Sequence, residues 1–267
     1  MRTRFILIDT SHAGNVGGTA RAMKVMGFDD LVLVNPRFAN VLHRDETIQR
    51  ASGALDVLKN ARVVAHLDDA LEGMTHLCAT AMIARDFGPP TRTPREHMAR
   101  LAQELRAPTP GASPPHSGVA FLFGSERFGM KNEDVYRCHV ALSIPSNPSF
   151  GSLNLASAVQ LLAYEWRTAL GGFGPSAELS QGVQAPLAAA LEPSDTRADA
   201  QALAGLLKHW EESLIKIGFL DPLAPKKLIP RLQQLFNRAQ LTQEEVHILR
   251  GVAKHMGARA AGKEIDS

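Results

Sequence analysis

Residues 149–166, SFGSLNLASAVQLLAYEW, join a polar Ser-Leu-Asn cluster directly to a long apolar helical pattern. One face of this pattern carries apolar residues at helical spacing, namely Leu155, Val159, Leu162 and Trp166. Further apolar residues spread round its other faces, and a helix of this kind needs cover beyond its own sheet. Two interpretations follow: a central core helix, or the interface of a homodimer. We favour the homodimer interface.

Upstream of this helix, short runs rich in Val, Ile, Leu and Phe recur between turn residues. They are FILI (5–8), LVLV (31–34), RVVA (62–65), THLCATAM (75–82), VAFLF (119–123) and VALSI (140–144). Because the runs are nearly continuous rather than alternating, they predict strands that are covered on both faces. Helical patterns lie between several of them, for example over residues 94–106. This arrangement is typical of an α/β fold with a mostly parallel sheet.

The chain divides into three parts. Residues 1–170 contain the strand pattern, and residues 171–196 are rich in Gly, Pro, Ala and Ser without a stable period, which predicts a flexible linker. Residues 197–267 show helical periodicity and predict a small all-helical C-terminal extension. Within it, Thr242 and Glu245 have the spacing of a capping box at the start of a helix.

Composition narrows the class of protein. The chain of 267 residues has a formal net charge of +2, which permits an anionic partner without requiring one. The apolar run after the N-terminus ends at Asp9, and no run approaches the roughly 18 residues of a membrane-spanning helix. The two cysteines, Cys78 and Cys138, are far apart in sequence and predict reduced thiols. We therefore expect a cytoplasmic protein that does not enter a membrane.

Three polar, glycine-containing clusters each follow an apolar run. They are SHAGNVGGTARAMK (11–24), GSERFGM (124–130) and PSNPSFGSLN (145–154). Taken singly, each is typical of a turn or a solvated surface. In an open parallel sheet, however, the ligand crevice lies beyond the carboxyl ends of the strands. The clusters are therefore predicted to converge on one site.

Several familiar motifs are missing from the sequence. It has no P-loop, no G-x-G-x-x-G directly after a strand and no G-x-S-x-G nucleophile elbow, so Ser125 is read as a turn residue. Its ten histidines show no H-E-x-x-H pattern, and we expect no metal site. In the first cluster Arg21 and Lys24 lie one helical turn apart. They form either a solvated pair or an anion site near a helix N-terminus.

The segments GNVGGTARAMKVMGF (14–28), FGSERFGM (123–130) and IPSNPSFGSLNLASAVQLLAYEW (144–166), in this order, resemble the SPOUT class of RNA methyltransferases. Within the branch that methylates ribose 2′-hydroxyls, the chain is similar to the TrmJ group, which acts at nucleotide 32 of the tRNA anticodon loop. The tail LFNRAQLTQEEVHILRG (235–251) resembles the helical C-terminal extension of that group.

The resemblance implies a SPOUT methyltransferase fold with a C-terminal trefoil knot, a homodimer, S-adenosylmethionine as cofactor and tRNA as partner. It places the cofactor against Thr80, Ala81, Met82, Gly124, Ile144, Ser152, Leu153 and Asn154. It makes Arg21 the catalytic arginine, with Asn15 and Glu126 as partners, and it also counts Ser152 with the catalytic residues.

The sequence departs from the family pattern in two places: the loop TAMIARDFG (80–88) lacks a second small polar residue and a further arginine, and GSER (124–127) replaces the common GRER. The extension either supports the dimer or positions tRNA. Two rival functions stay open: a 2′-O-methyltransferase of the same class acting on another tRNA site or on rRNA, and an inactive RNA-binding protein of the same fold.

Overall fold

The computed structural model describes residues 2–81, 85–106, 118–173, 197–224 and 227–260. Within them, one seven-stranded, entirely parallel sheet has the order β3-β2-β1-β6-β4-β7-β5. The strands are β1 (Arg2–Ile8), β2 (Asp30–Val34), β3 (Arg62–Val64), β4 (His76–Thr80), β5 (Thr91–Arg92), β6 (Gly118–Phe123) and β7 (Val140–Leu142). The six apolar runs are therefore strands, as predicted. The sequence reading missed β5, because two residues are too few to show a period.

Helices connect and cover the strands. In the first part of the chain they are α1 (Ala13–Val25), α2 (Asp45–Ala51), α3 (Leu55–Asn60), α4 (Leu67–Ala70), α5 (Pro94–Arg106), α6 (Asn132–Tyr136) and α7 (Leu155–Ala169), with a 3₁₀ turn at Val41–His43. In the extension they are α8 (Ala200–Lys216), α9 (Leu228–Ala239) and α10 (Gln243–Ala260). The expected α/β fold with a small helical extension is confirmed, whereas the trefoil knot stays a prediction.

The sheet is covered on both faces, as its continuous apolar strands predict. In β1, Phe5 and Leu7 belong to one buried cluster, while Ile6 and Ile8 belong to a second cluster on the other face. Alternate residues of an extended strand point to opposite faces of the sheet. The four residues 5–8 therefore contribute to the buried clusters on both faces. The buried thiols Cys78 and Cys138 are free, and burial raises the pKa of each.

Helix α7 packs one face into the first of these clusters. Trp166 is fully buried and donates its indole N–H to the Thr3 hydroxyl at 3.0 Å. The opposite side leaves Leu161 and Tyr164 41% and 51% exposed. The inner face of α7 thus packs in the core, as the core-helix interpretation predicts. The exposed apolar side fits the homodimer-interface interpretation. The homodimer itself stays a prediction.

Helix α1 lies between α2 and α7 at two adjacent glycines. A Cβ at Gly17 would overlap the carbonyl oxygen of Thr47 in α2. A Cβ at Gly18 would lie 2.9 Å from the Cβ of Ala156 in α7. Glycine is therefore required here for close helix approach rather than for an unusual backbone angle.

The extension has a small apolar core of its own. Leu206, Leu207, Phe236 and Val246 are buried together, and Trp210 donates its indole N–H to the Leu249 carbonyl at 3.0 Å. The capping box is confirmed, because Thr242 N donates to Glu245 at 2.8 Å and Glu245 N donates to Thr242 Oγ1 at 3.2 Å. The predicted linker lies mainly outside the described residues, and none of the described helices is long and apolar enough to span a bilayer.

Candidate active site

A cavity of about 330 Å³ opens at the carboxyl ends of β4, β6 and β7. Its lining includes most of the residues that the resemblance assigned to the cofactor, namely Thr80, Ala81, Gly124, Ile144, Ser152 and Leu153. Asn154 is not part of this lining, and Met82 lies outside the described residues. Two of the three polar clusters, 124–130 and 145–154, therefore meet at this cavity as predicted, whereas its lining contains no residue of 11–24.

A tight turn closes the chain after β6. Ser125 N donates to the Gly129 carbonyl at 3.2 Å, and Gly129 N donates back to the Ser125 carbonyl at 2.8 Å. The Ser125 hydroxyl accepts from Phe128 N at 3.2 Å, so Ser125 is a turn residue as the sequence indicated. A Cβ at Gly124 would overlap the backbone of Gly129 and Met130, which explains the glycine at this strand end.

The same turn directs Glu126 towards the N-terminus of α1, where its carboxylate accepts five hydrogen bonds. Oε1 accepts from the Thr10 hydroxyl and the Asn15 amide at 2.9 Å each, and from His12 N at 3.3 Å. Oε2 accepts from Ser11 N and the Ser11 hydroxyl at 2.8 Å each. A carboxylate at this position also meets the positive end of the helix dipole.

These bonds decide the charge of Glu126. Burial raises the pKa of its carboxyl, but the hydrogen bonds from Asn15 and Ser11 outweigh burial and lower the pKa from 4.5 to about 2. Glu126 is consequently ionised at neutral pH, which makes it an anchor for Asn15 and for the start of α1 rather than a proton donor.

Asn154 extends the network to α7. Its side-chain amide donates to Asn15 Oδ1 at 2.8 Å, and its own Oδ1 accepts from Ala156 N at 3.0 Å as the N-cap of α7. Asn15 thus bridges Glu126 and Asn154. Side-chain hydrogen bonds thus join the three polar clusters. Asn154 caps the start of α7 and holds the side chain of Asn15.

Arg21 lies on α1, six residues beyond Asn15 and about 9 Å further along the helix axis. Its side chain is exposed and has neither a hydrogen bond nor an ion pair among the described residues, and it does not line the cavity of its own chain. Lys24, by contrast, donates to Asp56 at 2.7 Å and to the Gly53 carbonyl at 3.0 Å. The two cations therefore have different surroundings, and only Arg21 is left available.

Sequence reasoning assigned no role to three residues of this region. Thr10 and Ser11 bind Glu126, and their position directly after β1 was the available signal. Arg85 lines the cavity, donates Nη2 to the Met130 carbonyl at 3.4 Å and keeps a buried Nε without a partner among the described residues. No sequence pattern distinguishes Arg85 from an ordinary loop arginine.

A second polar cluster lies away from this cavity. Three buried residues, His76, Cys78 and His97, bring ligand atoms within 4.8 Å of one another. They come from β4 and α5, so no local sequence pattern indicates the grouping. His76 Nε2 and His97 Nε2 lie 3.0 Å apart in a hydrogen bond. The expected absence of a metal stays a prediction.

Known proteins match both parts of the chain. Residues 2–164 match the SpoU rRNA Methylase family, and residues 201–265 match the C-terminal domain of tRNA methyltransferase TrmJ. The chain is 41% identical over 252 residues to the tRNA (cytidine/uridine/adenosine-2′-O-)-methyltransferase TrmJ of Pseudomonas aeruginosa, covering 94% of this chain and 92% of that protein.

It is also 39% identical over 253 residues to the tRNA (cytidine/uridine-2′-O-)-methyltransferase TrmJ of Pectobacterium atrosepticum, covering 93% and 94% of the two chains. The fold is similar to the crystal structure of TrmJ from Z. mobilis ZM4, with a TM-score of 0.75, 30% identity, and coverage of 96% of this chain and 99% of that one. The chain therefore belongs to the SpoU methylase family and, within it, to the TrmJ group.

Proposed function

We propose that this chain is an S-adenosylmethionine-dependent tRNA methyltransferase that acts on the ribose 2′-hydroxyl of cytidine, and of uridine, at nucleotide 32 of the anticodon loop. Its relatives of the TrmJ group are tRNA 2′-O-methyltransferases by name. The observation that carries the proposal is the bridge from Glu126 through Asn15 to Asn154, which joins all three motif segments beside a ligand-sized cavity.

The cavity suits the proposed cofactor. Apolar side chains of Phe123, Leu142 and Leu155 offer a surface for a flat heteroaromatic ring. The Nε of Arg85, which has no partner within the described part of the chain, can donate to a carboxylate, and the Ser152 hydroxyl can take further polar groups. These residues, with backbone at Thr80, would hold S-adenosylmethionine, which supplies an activated methyl group on a positively charged sulfur.

The chain's own contribution is alignment and charge. Holding an acceptor oxygen in line with a bound methyl donor removes an entropic barrier of several kcal/mol. Arg21 presents a planar guanidinium that can donate to two phosphate oxygens at once. We assign it the orientation of an RNA phosphate and the stabilisation of negative charge developing on the ribose oxygen. Glu126 and Asn15 fix the start of the helix that carries Arg21.

The proposal includes a homodimer in which the exposed apolar side of α7 contacts a second copy of the chain. It also includes a cytoplasmic location, where tRNA is available. The helical extension positions tRNA. The presence of Arg21, Glu126, Ser152 and Asn154 together speaks for an active enzyme rather than an inactive RNA-binding protein.

The decisive experiment incubates the purified protein with labelled S-adenosylmethionine and unmodified whole tRNA, and maps the methyl group by nuclease digestion and mass spectrometry. A 2′-O-methyl group at nucleotide 32 is the expected result. A methyl group at another tRNA site, or on rRNA offered in parallel, would keep the chemistry and replace the substrate. Cofactor binding without transfer to any RNA would favour the inactive relative.

A further inference from the structure

The loop 85–90 links the wall of the cavity to the edge of the sheet. At its start, Arg85 lines the cavity and donates to the Met130 carbonyl. Its middle forms a turn in which Gly88 N donates to the Arg85 carbonyl at 3.0 Å. At its end, the Pro90 carbonyl accepts from Ala141 N of β7 at 3.0 Å. The position of Arg85 therefore depends on what holds this loop.

The middle of the loop has a strained backbone. Phe87 has a backbone φ of +82°, a value that residues other than glycine rarely adopt. Such a conformation persists only where the surroundings fix it, and it is found disproportionately at ligand clamps and functional sites. Its cause must therefore lie in contacts that the loop makes with the rest of the chain.

Those contacts come from the C-terminal extension. The side-chain amide of Gln234 in α9 donates to the Phe87 carbonyl, and also to the Gly88 carbonyl at 2.8 Å. Lys227 Nζ lies 3.9 Å from the centroid of the Phe87 ring, and the Arg231 guanidinium lies 5.6 Å from it. Arg231 and Gln234 are spaced by three on one face of α9, and Lys227 is the N-cap of the same helix.

The next residue on this face fixes α9 to the sheet domain. Asn237 is buried, and its side-chain amide donates to the carbonyls of Tyr136, Arg137 and Cys138 at 3.4, 3.3 and 3.1 Å. These carbonyls lie at the end of α6, which follows the turn carrying Glu126. The clamp on Phe87 is thus built on a fixed support.

We propose that Lys227, the N-cap of α9, together with Arg231 and Gln234 within α9, clamps the 85–90 loop and so positions Arg85 in the wall of the cofactor cavity. The inference rests on the proposed function, because it takes the cavity as the site of S-adenosylmethionine. Its consequence is specific: the extension raises cofactor affinity even when no tRNA is present. Gln234 is a positioning residue that acts through Phe87 and Arg85.

The test measures binding of S-adenosylmethionine and S-adenosylhomocysteine to full-length proteins by calorimetry, without tRNA. Gln234→Ala should weaken binding by roughly three- to tenfold, the range expected for lost hydrogen bonds. The double variant Lys227→Ala/Arg231→Ala should act in the same direction. Gln233→Ala is the matched control, because Gln233 is the neighbouring residue of the same type and makes no side-chain hydrogen bond among the described residues.

A kinetic measurement separates positioning from general loosening. In Gln234→Ala the KM for S-adenosylmethionine should rise while kcat on tRNA at saturating cofactor stays near wild type. Phe87→Leu keeps an apolar side chain but removes the aromatic ring that Lys227 and Arg231 contact. It should also weaken cofactor binding. Phe87→Tyr, which keeps the ring, should restore wild-type affinity.

The outcomes are distinguishable. Cofactor affinity in Gln234→Ala and Phe87→Leu equal to that of Gln233→Ala would overturn the clamp and leave the proposed function intact. Failure of the wild-type protein to bind either ligand would overturn the proposed function, and the clamp with it. A rise in the KM for tRNA alone would also overturn the clamp and leave the extension with its tRNA-positioning role only.

Discussion

Asn15 and Glu126 are 111 residues apart in sequence, yet the side-chain amide of Asn15 lies 2.9 Å from Oε1 of Glu126. The bond joins the first helix of the chain to the turn after β6, and Asn154 continues it to α7. This contact therefore organises the site.

Replacing Glu126 with Ala removes the acceptor of five hydrogen bonds at the start of α1. We expect a loss of about 1–2 kcal/mol in the free energy of unfolding, a modest value because the carboxylate is only partly buried. Methyl transfer should fall more than stability accounts for. Urea denaturation and tRNA methylation on the same preparation check both, and wild-type activity in a destabilised variant would contradict the anchoring role.

The low pKa of Glu126 predicts a specific acid dependence. Because the folded-state pKa is about 2 and the ordinary value is 4.5, the stabilisation from Glu126 is fully present above pH 4.5 and is lost as the pH falls towards 2. The stability difference between wild type and Glu126→Gln should therefore shrink across that interval. Denaturation curves at pH 5, 4 and 3 measure it, and a difference that does not change with pH would count against the assigned bonds.

Arg21→Ala should reduce methyl transfer by more than about 100-fold while cofactor affinity stays near wild type, since Arg21 is expected to act on the RNA and on the charge of the transition state. Lys24→Ala is the matched control, because Lys24 is one turn away on the same helix and already pairs with Asp56. Loss of cofactor binding in Arg21→Ala would contradict the assignment.

Asn154 has two separable bonds. Asn154→Ala loses the N-cap of α7 and should cost about 1 kcal/mol of stability. Asn154→Asp keeps an acceptor for Ala156 N but cannot donate to Asn15, so it should retain stability and lose activity. Thermal unfolding and kcat, compared for the two variants, test this. The family resemblance places Asn154 against the cofactor, and an Asn154→Asp variant with intact kcat and a raised cofactor Kd would favour that placement.

The homodimer can be tested on the exposed side of α7. Leu161→Glu places a charge on a surface where Leu161 and Tyr164 are partly exposed, and it should convert dimer to monomer in analytical ultracentrifugation. Ile248→Glu, at a 65% exposed position in α10, is the control and should leave the dimer intact. A Leu161→Glu protein that sediments like the wild type would place any interface elsewhere.

The predictable part of the fold followed from local patterns. Continuous runs such as FILI at 5–8 predicted strands buried on both faces, and the spacing of Thr242 and Glu245 predicted a helix start. The order β1-β6-β4-β7 could not be read from the sequence, because nothing local records which strands pair. Two-residue β5 and the short helices α2, α3 and α4 were missed for lack of a period.

For the site, motif resemblance located most of the cavity lining, including Gly124 and Ser152. The resemblance did not distinguish residues that line the cavity from residues that hold neighbouring side chains in place. Asn154, for example, faces Asn15 and its own helix rather than the cavity. Arg85 and Gln234 were missed for the same physical reason, since their roles depend on contacts between segments far apart in the chain.

The strand order also bears on how the protein is made. Strand β4 has only β6 and β7 as neighbours, with Cys78 opposite Phe121 on one side and Val140 on the other. During synthesis on the ribosome, β4 therefore cannot pair with either neighbouring strand until roughly the first half of the chain has been made. Contacts of such long sequence separation make folding slow. Since the cavity is walled by these same three strands, the nascent chain acquires its ligand site only in the last stage of assembling its sheet.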